Sequence, residues 1–211
     1  MAKRKKAVSV YELEQTSFKT LPLEGAFKKL IGTPEVSGSW FVFGDPGQGK
    51  TTFNMQLAKQ ITQWERVEYN TLEEGARLSM QQAVLENNMA QCRKGSFKIL
   101  DKMPIDELKE RLRNPRTARV VFIDSVQYTF MTKREYKELQ AEFPKHLFIW
   151  VSHAKGKKPL GALAEAIWYD SDVKIFVQGF RAYSISRASR GILTEPYTIW
   201  EEGARKFHEI L

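Results

Sequence analysis

The chain has 211 residues, of which 42% are hydrophobic and one is a cysteine. This length and composition allow one domain with a substantial core. A single cysteine excludes an internal disulfide and a cysteine-based metal cluster. No apolar run approaches the roughly 20 residues that span a bilayer, and the basic start lacks the apolar stretch of a secretory signal, so we expect a cytoplasmic protein without membrane contact. The net charge of +8 favours a polyanionic partner, above all nucleic acid, although a solvated basic surface is the alternative.

The chain begins with a polar segment that is basic at its tip and carries little pattern. Apolar residues then recur at helical spacing from Leu23 to Ile31, and a Gly-Thr-Pro stretch ends that pattern. We therefore predict a basic arm and a short helix over residues 1–36, followed by the main domain over residues 37–211. The sequence leaves open whether this helix packs on the core of its own chain or on a neighbouring subunit.

From residue 37 onward, signals for strands and for helices alternate. Short apolar runs predict strands over residues 39–43, 66–71, 96–100, 118–125 and 146–154. Apolar residues at helical spacing predict helices over residues 51–64, 73–89, 104–115 and 132–144. Capping boxes are predicted at the start of two of these helices, from Thr71 with Glu74 and from Thr132 with Glu135. Such alternation is typical of crossover units and a parallel sheet.

The pattern changes beyond residue 166. Residues 172–191 contain two strand-like runs on either side of a glycine, which predicts an antiparallel hairpin attached to the parallel core. The longest apolar runs before it lack period-2 polarity, as expected of strands covered on both faces. The predicted fold class is therefore α/β, with a mostly parallel twisted sheet flanked by helices and a C-terminal antiparallel hairpin.

One loop has the composition of a phosphate cradle. It matches the pattern GxxxxGK(S/T) and lies between a predicted strand and a predicted helix. In that context, glycines let consecutive backbone N–H groups point at phosphate oxygens, and the helix N-terminus adds its dipole. We expect Lys50 to reach the terminal phosphates of a nucleotide and Thr51 to bind Mg²⁺. The expected nucleotide-binding residues are Gly44, Asp45, Pro46, Gly47, Gln48, Gly49, Lys50, Thr51 and Thr52.

Nucleotide hydrolysis also needs an acid that completes the magnesium shell and a base that polarises the attacking water. Asp124 ends an apolar strand, where phosphate-loop enzymes carry the first of these groups. Glu73 and Glu74 follow the strand after the cradle helix, and the carboxyl ends of parallel strands share one edge, where ligands bind. We predict Glu73 as the base and Glu74 as the alternative, or simply an acid of a first helical turn. His153 ends another strand, and would either sense the terminal phosphate or have no catalytic role.

Two basic segments follow the later strands. Lys155, Lys157 and Lys158 surround a glycine in a predicted loop, and Lys133 and Arg134 follow the preceding strand. Flexible cations that track a phosphate backbone give affinity without choice of sequence. We therefore predict contact with single-stranded DNA at both segments, while exposed, solvated loops are the alternative and RNA is left open.

In chain order, the same stretches resemble the RecA-like ATPase core. The motifs that carry the resemblance are GDPGQGKTT, YNTLEEG, VVFIDSVQ, VSHAKGKKPLGALAEA and RAYSISRASRG. Together they span roughly residues 37–202. The chain is most similar to RadA-type recombination ATPases and DnaB-type helicases, in a short format that resembles the small RecA-like ATPases of phages and mobile elements.

The resemblance implies roles for several of these residues. Glu73 would activate water for ATP hydrolysis, and Asp124 would complete the Mg²⁺ shell. His153 would couple the phosphate state to DNA contact. Arg190, or else Arg187, would reach into the nucleotide site of a neighbouring subunit. The implied assembly is a homo-oligomer, a ring-shaped hexamer, with a filament or another subunit number left open.

Two other functions share the phosphate cradle. One is a nucleotide-gated regulatory ATPase that acts on a protein partner, which DNA-insensitive turnover would favour. The other is a small-molecule kinase, which is disfavoured by the missing arginine-rich lid and by the arginines of the C-terminal hairpin, Arg181 among them. The favoured function is an ATPase that single-stranded DNA stimulates, acting in recombination, annealing or helicase-like replication.

Overall fold

The computed structural model describes residues 7–187 and 194–209. The helices are α1 Val10–Glu14, α2 Gly25–Ile31, α3 Lys50–Ile61, α4 Leu78–Glu86, α5 Ile105–Leu112, α6 Lys133–Glu142, α7 Ala162–Asp170 and α8 Glu201–Glu209. The strands are β1 Gly38–Gly44, β2 Val67–Thr71, β3 Phe97–Asp101, β4 Val120–Asp124, β5 Leu147–Lys155, β6 Lys158–Pro159, β7 Val173–Gln178, β8 Arg181–Ser186 and β9 Tyr197–Thr198. Short 3₁₀ turns cover Met89–Gln91 and Val126–Tyr128.

The strands form a mixed sheet in the order β3-β2-β4-β5-β1-β7-β8-β9, and β6 pairs only with the end of β5. The pairs from β3 through to β7 are parallel, whereas β7, β8 and β9 are antiparallel to one another. The structure thus confirms the predicted fold class, including the C-terminal hairpin. Since β5 lies between β1 and β4, one strand separates the cradle strand from the strand that ends in Asp124.

The sheet is covered by helices on both faces. On one face, Trp40, Phe122 and Ile149 pack with α2, α3 and α4. On the other face, Phe41 and Trp150 pack with α5, α6 and α7. Neighbouring residues of a strand point to opposite faces, so strands that are buried on both sides read as continuous apolar runs. Within the described ranges, no helix has both the length and the apolar character needed to cross a membrane.

The short helix ahead of the sheet packs on the core of its own chain. Leu21, Leu30 and Ile31 have no exposed surface, and Phe27 stacks on Tyr197 with ring centroids 4.4 Å apart. The segment from residue 20 to residue 36 therefore packs in the same hydrophobic core as α3, on one face of the sheet. The preceding stretch, residues 7–19, contains α1, which was not predicted, and lies on the surface.

The predicted helix over residues 73–89 is shorter than expected and begins later. Thr71 is the last residue of β2, paired with Asp101 on one side and Asp124 on the other, so it cannot cap a helix. A turn through Gly75, with φ of +75°, follows, and α4 begins only at Leu78. The predicted capping box of Thr71 is therefore wrong. The predicted capping box of Thr132 and Glu135 is confirmed at the start of α6.

A buried ion pair joins α5 to the sheet. Arg111 donates from Nε and Nη2 to the two carboxylate oxygens of Glu68, at 2.9 and 2.7 Å, and Glu68 is only 2% exposed. Removal of one partner leaves a buried charge without compensation. The pair therefore holds α5 against β2.

We expect Arg111→Ala to lower the free energy of unfolding by about 3 kcal/mol, because the Glu68 carboxylate would stay buried and unpaired. The matched control is Arg134→Ala, which breaks the exposed pair with Glu138 and should cost less than about 1 kcal/mol. Urea denaturation followed by far-UV circular dichroism measures both values. Equal losses in the two variants would contradict the expectation.

Candidate active site

The phosphate cradle connects the end of β1 to the start of α3. Gly47 and Gly49 have φ of +73° and +96°, a region that favours glycine, and they turn the chain into the first helical residue, Lys50. The loop also runs close to β7, since a methyl group at Gly44 would clash with the carbonyl oxygen of Val177. The twelve-residue helix α3 thus directs its N-terminal N–H groups into the loop.

The cradle is tied to the C-terminal hairpin through Gln48. The N–H of Gly179 donates to Oε1 of Gln48 at 2.6 Å, and the N–H of Phe180 donates to its backbone oxygen at 3.3 Å. Gly179 and Phe180 form the turn between β7 and β8. Movement of this hairpin would therefore move the loop. No signal in the sequence indicated this contact.

The Lys50 ammonium group lies inside the cradle. It donates to the carbonyl oxygens of Gly44 at 2.8 Å and Asp45 at 3.0 Å. Burial lowers the pKa of Lys50, while the charges of Asp124 and Glu73 partly oppose this shift. The cation is thus positioned to exchange loop carbonyls for phosphate oxygens.

Asp124 is a half-buried carboxyl group at the end of β4. Burial raises the pKa of Asp124 to about 6, while the hydroxyl of Tyr69, which donates to Oδ2, and the charge of Lys50 act against this shift. Asn54 on α3 donates to the Tyr69 oxygen at 3.4 Å and so connects this pair to the cradle helix. A half-buried carboxylate is stabilised by a nearby cation, so this environment suits a magnesium ligand.

Glu73 lies beside Asp124 and is held by two side chains. Its Oε2 accepts a hydrogen bond from Ser125 Oγ at 3.1 Å and lies 3.0 Å from His153 Nε2. Its backbone N–H donates to the carbonyl oxygen of Asp124 at 3.2 Å. His153 is in turn the sheet partner of Gly44, the first cradle residue. The structure therefore brings together the candidate base, the candidate metal ligand and the cradle.

Glu74 has a different environment. Its Oε2 accepts a hydrogen bond from Ser79 Oγ at 3.0 Å, at the start of α4. Only Glu73, of the two, contacts Ser125 and His153.

Of the two arginines that were predicted to act in trans, Arg187 is not part of this cluster. Arg187 follows β8 and pairs with Asp172 of its own chain, with Nη1 and Oδ1 3.0 Å apart. Arg187 lies at the amino end of β7, because the residue before it, Ser186, is the sheet partner of Val173. Arg190 lies outside the described residues. The roles of both arginines stay predictions.

The predicted basic loop after β5 is a tight hairpin. Lys155 on β5 pairs with Lys158 on β6, and Gly156, with φ of +64°, forms the turn with Lys157. All three lysines are exposed. Lys133 and Arg134 are also exposed, but they lie in the first turn of α6 rather than in a loop, and Arg134 pairs with Glu138.

An exposed aromatic residue lies at the same edge of the sheet and was missed. Phe130 is 90% exposed with φ of +53°, and the nearby Tyr128 is 43% exposed. Phe130 lines a hollow together with Leu160, which follows the lysine hairpin. In the sequence, an aromatic residue between a strand and a helix is indistinguishable from a core residue, so exposure could not be predicted.

The residues of the cluster fit a nucleotide with its magnesium ion. Gly47 faces open space, the loop N–H groups and Lys50 supply the positive side, and Asp124 supplies an oxygen ligand. No group of three His, Cys, Asp or Glu side chains in the described part of the chain could hold a metal ion alone. Thr51 and Asp124 would therefore hold magnesium jointly with phosphate oxygens and water.

Comparison with known proteins supports the fold. No family model matches the sequence, and no curated protein matches it. Among solved structures, the chain is similar to a KaiC-like protein from the hyperthermophilic archaeon Pyrococcus horikoshii OT3, with 20% identity and a TM-score of 0.56. The similarity covers 81% of this chain and 89% of that protein. At this level of identity the similarity shows a shared RecA-like α/β fold.

Proposed function

We propose that the chain is a RecA-like ATPase that binds single-stranded nucleic acid and acts in DNA recombination, annealing or helicase-like replication. The observation that carries the proposal is the cluster at the carboxyl edge of the parallel sheet, where Lys50, Asp124 and Glu73 lie close together. Because the ends of β1, β2 and β4 share one edge, a cation, a metal ligand and a base lie around one phosphate position.

Each residue has a distinct part in hydrolysis. The loop N–H groups and Lys50 bind and orient the phosphates, and Thr51 and Asp124 would hold a Mg²⁺ ion. Mg²⁺, when bound, would neutralise the charge that develops on the transferring phosphoryl group. Glu73 accepts a proton from the attacking water, while Ser125 and His153 hold its carboxylate in place.

The basic hairpin supports nucleic acid as the partner. Lys155, Lys157 and Lys158 are exposed cations at the same edge of the sheet as the nucleotide cluster. Phe130, 90% exposed, offers a flat face on which a base can stack. Since β5 carries both His153 and Lys155, the Glu73–His153 contact links the hydrolytic site directly to the hairpin.

We further infer a homo-oligomer, a ring-shaped hexamer, with the nucleotide at subunit boundaries. The described part of a single chain places no arginine among the cluster of Lys50, Asp124 and Glu73. An arginine from a neighbour, Arg190 or Arg187, would supply the missing positive charge during phosphoryl transfer. For Arg187 this requires release from Asp172.

A second candidate function is a nucleotide-gated regulator of a protein partner. The observation that favours it is the apolar surface of the N-terminal segment, where Val10, Tyr11 and Leu13 are 77%, 72% and 56% exposed. Such clustered exposure is typical of a protein contact. ATP turnover that does not respond to DNA would favour this function.

The test is ATP turnover by the purified chain with and without a single-stranded thymidine oligonucleotide at low salt. We expect stimulation, and we expect Lys155→Ala/Lys157→Ala to raise the oligonucleotide concentration for half-maximal stimulation by about tenfold, because two phosphate contacts are lost. The matched control is Lys28→Ala/Lys206→Ala, which removes two exposed lysines elsewhere. Turnover indifferent to the oligonucleotide would overturn the nucleic-acid part of the proposal.

A further inference from the structure

A second basic region lies at the opposite edge of the sheet. A groove of about 520 Å³ runs along the amino ends of β2, β3 and β4. The first residues of these strands, Val67, Phe97 and Val120, are sheet partners. Glu73 and Asp124 belong to the other ends of β2 and β4, so the length of the strands separates the groove from the nucleotide cluster.

The groove is lined by arginine and lysine side chains. Five cations line it, all of them exposed: Arg66, Arg93, Lys94, Lys98 and Arg116. Within residues 7–187 and 194–209, none of the five forms an ion pair with a carboxylate. They come from three separate stretches of sequence, which the parallel pairing of the three strands brings together.

Two carboxylates in or beside the groove, Glu68 and Glu65, are already paired with other residues. Glu68 lines the groove, but both of its oxygens accept hydrogen bonds from Arg111. Glu65 precedes Arg66 and pairs with Lys19. The groove therefore keeps the positive charge of its five cations.

Hydrogen bonds hold the walls of the groove in place. Arg66 Nη1 donates to the carbonyl oxygen of Arg116 at 2.7 Å, which joins the start of β2 to the turn before β4. The backbone N–H and the hydroxyl of Ser96 both donate to the carbonyl oxygen of Arg93, at 2.9 and 2.6 Å. The N–H of Val67 donates to the Ser96 carbonyl oxygen at 2.8 Å. These hydrogen bonds therefore hold in place the backbone segments that carry the cations.

We propose that this groove is a second nucleic-acid site, which binds the sugar–phosphate backbone. Several exposed cations in one open groove suit a polymer that presents a phosphate at each step. An acidic protein surface fits less well, because protein interfaces are anchored by buried aromatic and apolar side chains. Among the described residues that line the groove, Val67 and Ala118 are the apolar ones and none is aromatic.

The test compares Arg93→Ala/Lys94→Ala with the control Lys28→Ala/Lys206→Ala, which has the same net charge. Binding of a fluorescein-labelled single strand and of a duplex is measured by anisotropy without nucleotide, from 50 to 200 mM KCl. We expect the groove variant to bind about tenfold more weakly at 50 mM KCl, with the slope of log K against log salt reduced by about 1.4 for the single strand or 1.8 for the duplex. The nucleic acid with the larger change is the one that the groove prefers.

The proposal is overturned if the groove variant and the control give the same affinity and slope for both nucleic acids. It is also overturned if the groove variant keeps its DNA affinity and loses binding of poly-L-glutamate, which would indicate an acidic protein partner. Arg93→Gln/Lys94→Gln, which keeps most of the side-chain length, should show the same loss as the alanine variant if folding is not the cause. A repeat in the Lys155→Ala/Lys157→Ala background separates the groove from the hairpin, and ATP turnover does not enter any of these measurements.

Discussion

Glu73→Gln is expected to reduce ATP turnover by about 10²–10⁴-fold, the contribution typical of a general base. Glutamine keeps the size of the side chain and can still accept a hydrogen bond from Ser125, but it cannot take a proton from water. Because Lys50, Thr51 and the loop N–H groups are unchanged, nucleotide affinity should stay within about threefold of that of the unchanged protein. Turnover is measured by phosphate release, and affinity by titration with a fluorescent ATP analogue.

The matched control is Glu74→Gln, which removes the neighbouring carboxylate. Since Glu74 contacts Ser79 rather than the cluster, its turnover should fall by less than about threefold. A larger loss in Glu74→Gln than in Glu73→Gln would transfer the role of base to Glu74. Equal turnover in all three proteins would contradict an acid–base role for either glutamate.

The position of Glu73, Asp124 and the cradle at one edge of the sheet could be predicted, because it depends on chain topology alone. Each of them follows or ends a predicted strand, and parallel strands place their carboxyl ends at one edge. The local contacts could not be predicted in the same way. The hydrogen bond of Tyr69 to Asp124 and the contact of His153 with Glu73 depend on strand register and on side-chain rotamers, which sequence patterns do not specify.

The wrong prediction of a capping box at Thr71 has a similar cause. A threonine followed by a glutamate three residues later is a local signal, and it is overruled when the threonine is needed in a strand. Exposure is another property that composition does not reveal, as Phe130 illustrates. The basic groove could not be predicted either. Arg66, Arg93 and Arg116 are far apart in sequence, and the net charge of the chain does not say where on the surface the cations lie.

Asp124 makes the stability of the protein depend on pH. Burial disfavours the charge and raises the pKa of Asp124 to about 6 in the folded state, against about 4 in the unfolded state. Between these values the folded state binds more protons at Asp124 than the unfolded state does, so the contribution of Asp124 to stability falls as pH rises from about 4 to about 6. The buried charge thus costs the nucleotide-free protein stability at neutral pH.

Asp124→Asn should therefore stabilise the nucleotide-free protein at pH 7.5, by an amount on the order of 3 kcal/mol, while it abolishes magnesium-dependent turnover. The stabilisation arises because the amide carries no charge that burial can penalise, and it should vanish near pH 4, where the native carboxyl group is itself neutral. Urea denaturation at pH 4.5 and pH 7.5 measures the difference. Asp106→Asn, at an exposed carboxylate on α5, is the control and should show no such pH dependence. A stabilisation of equal size at both pH values would show that burial of the Asp124 charge is not its cause.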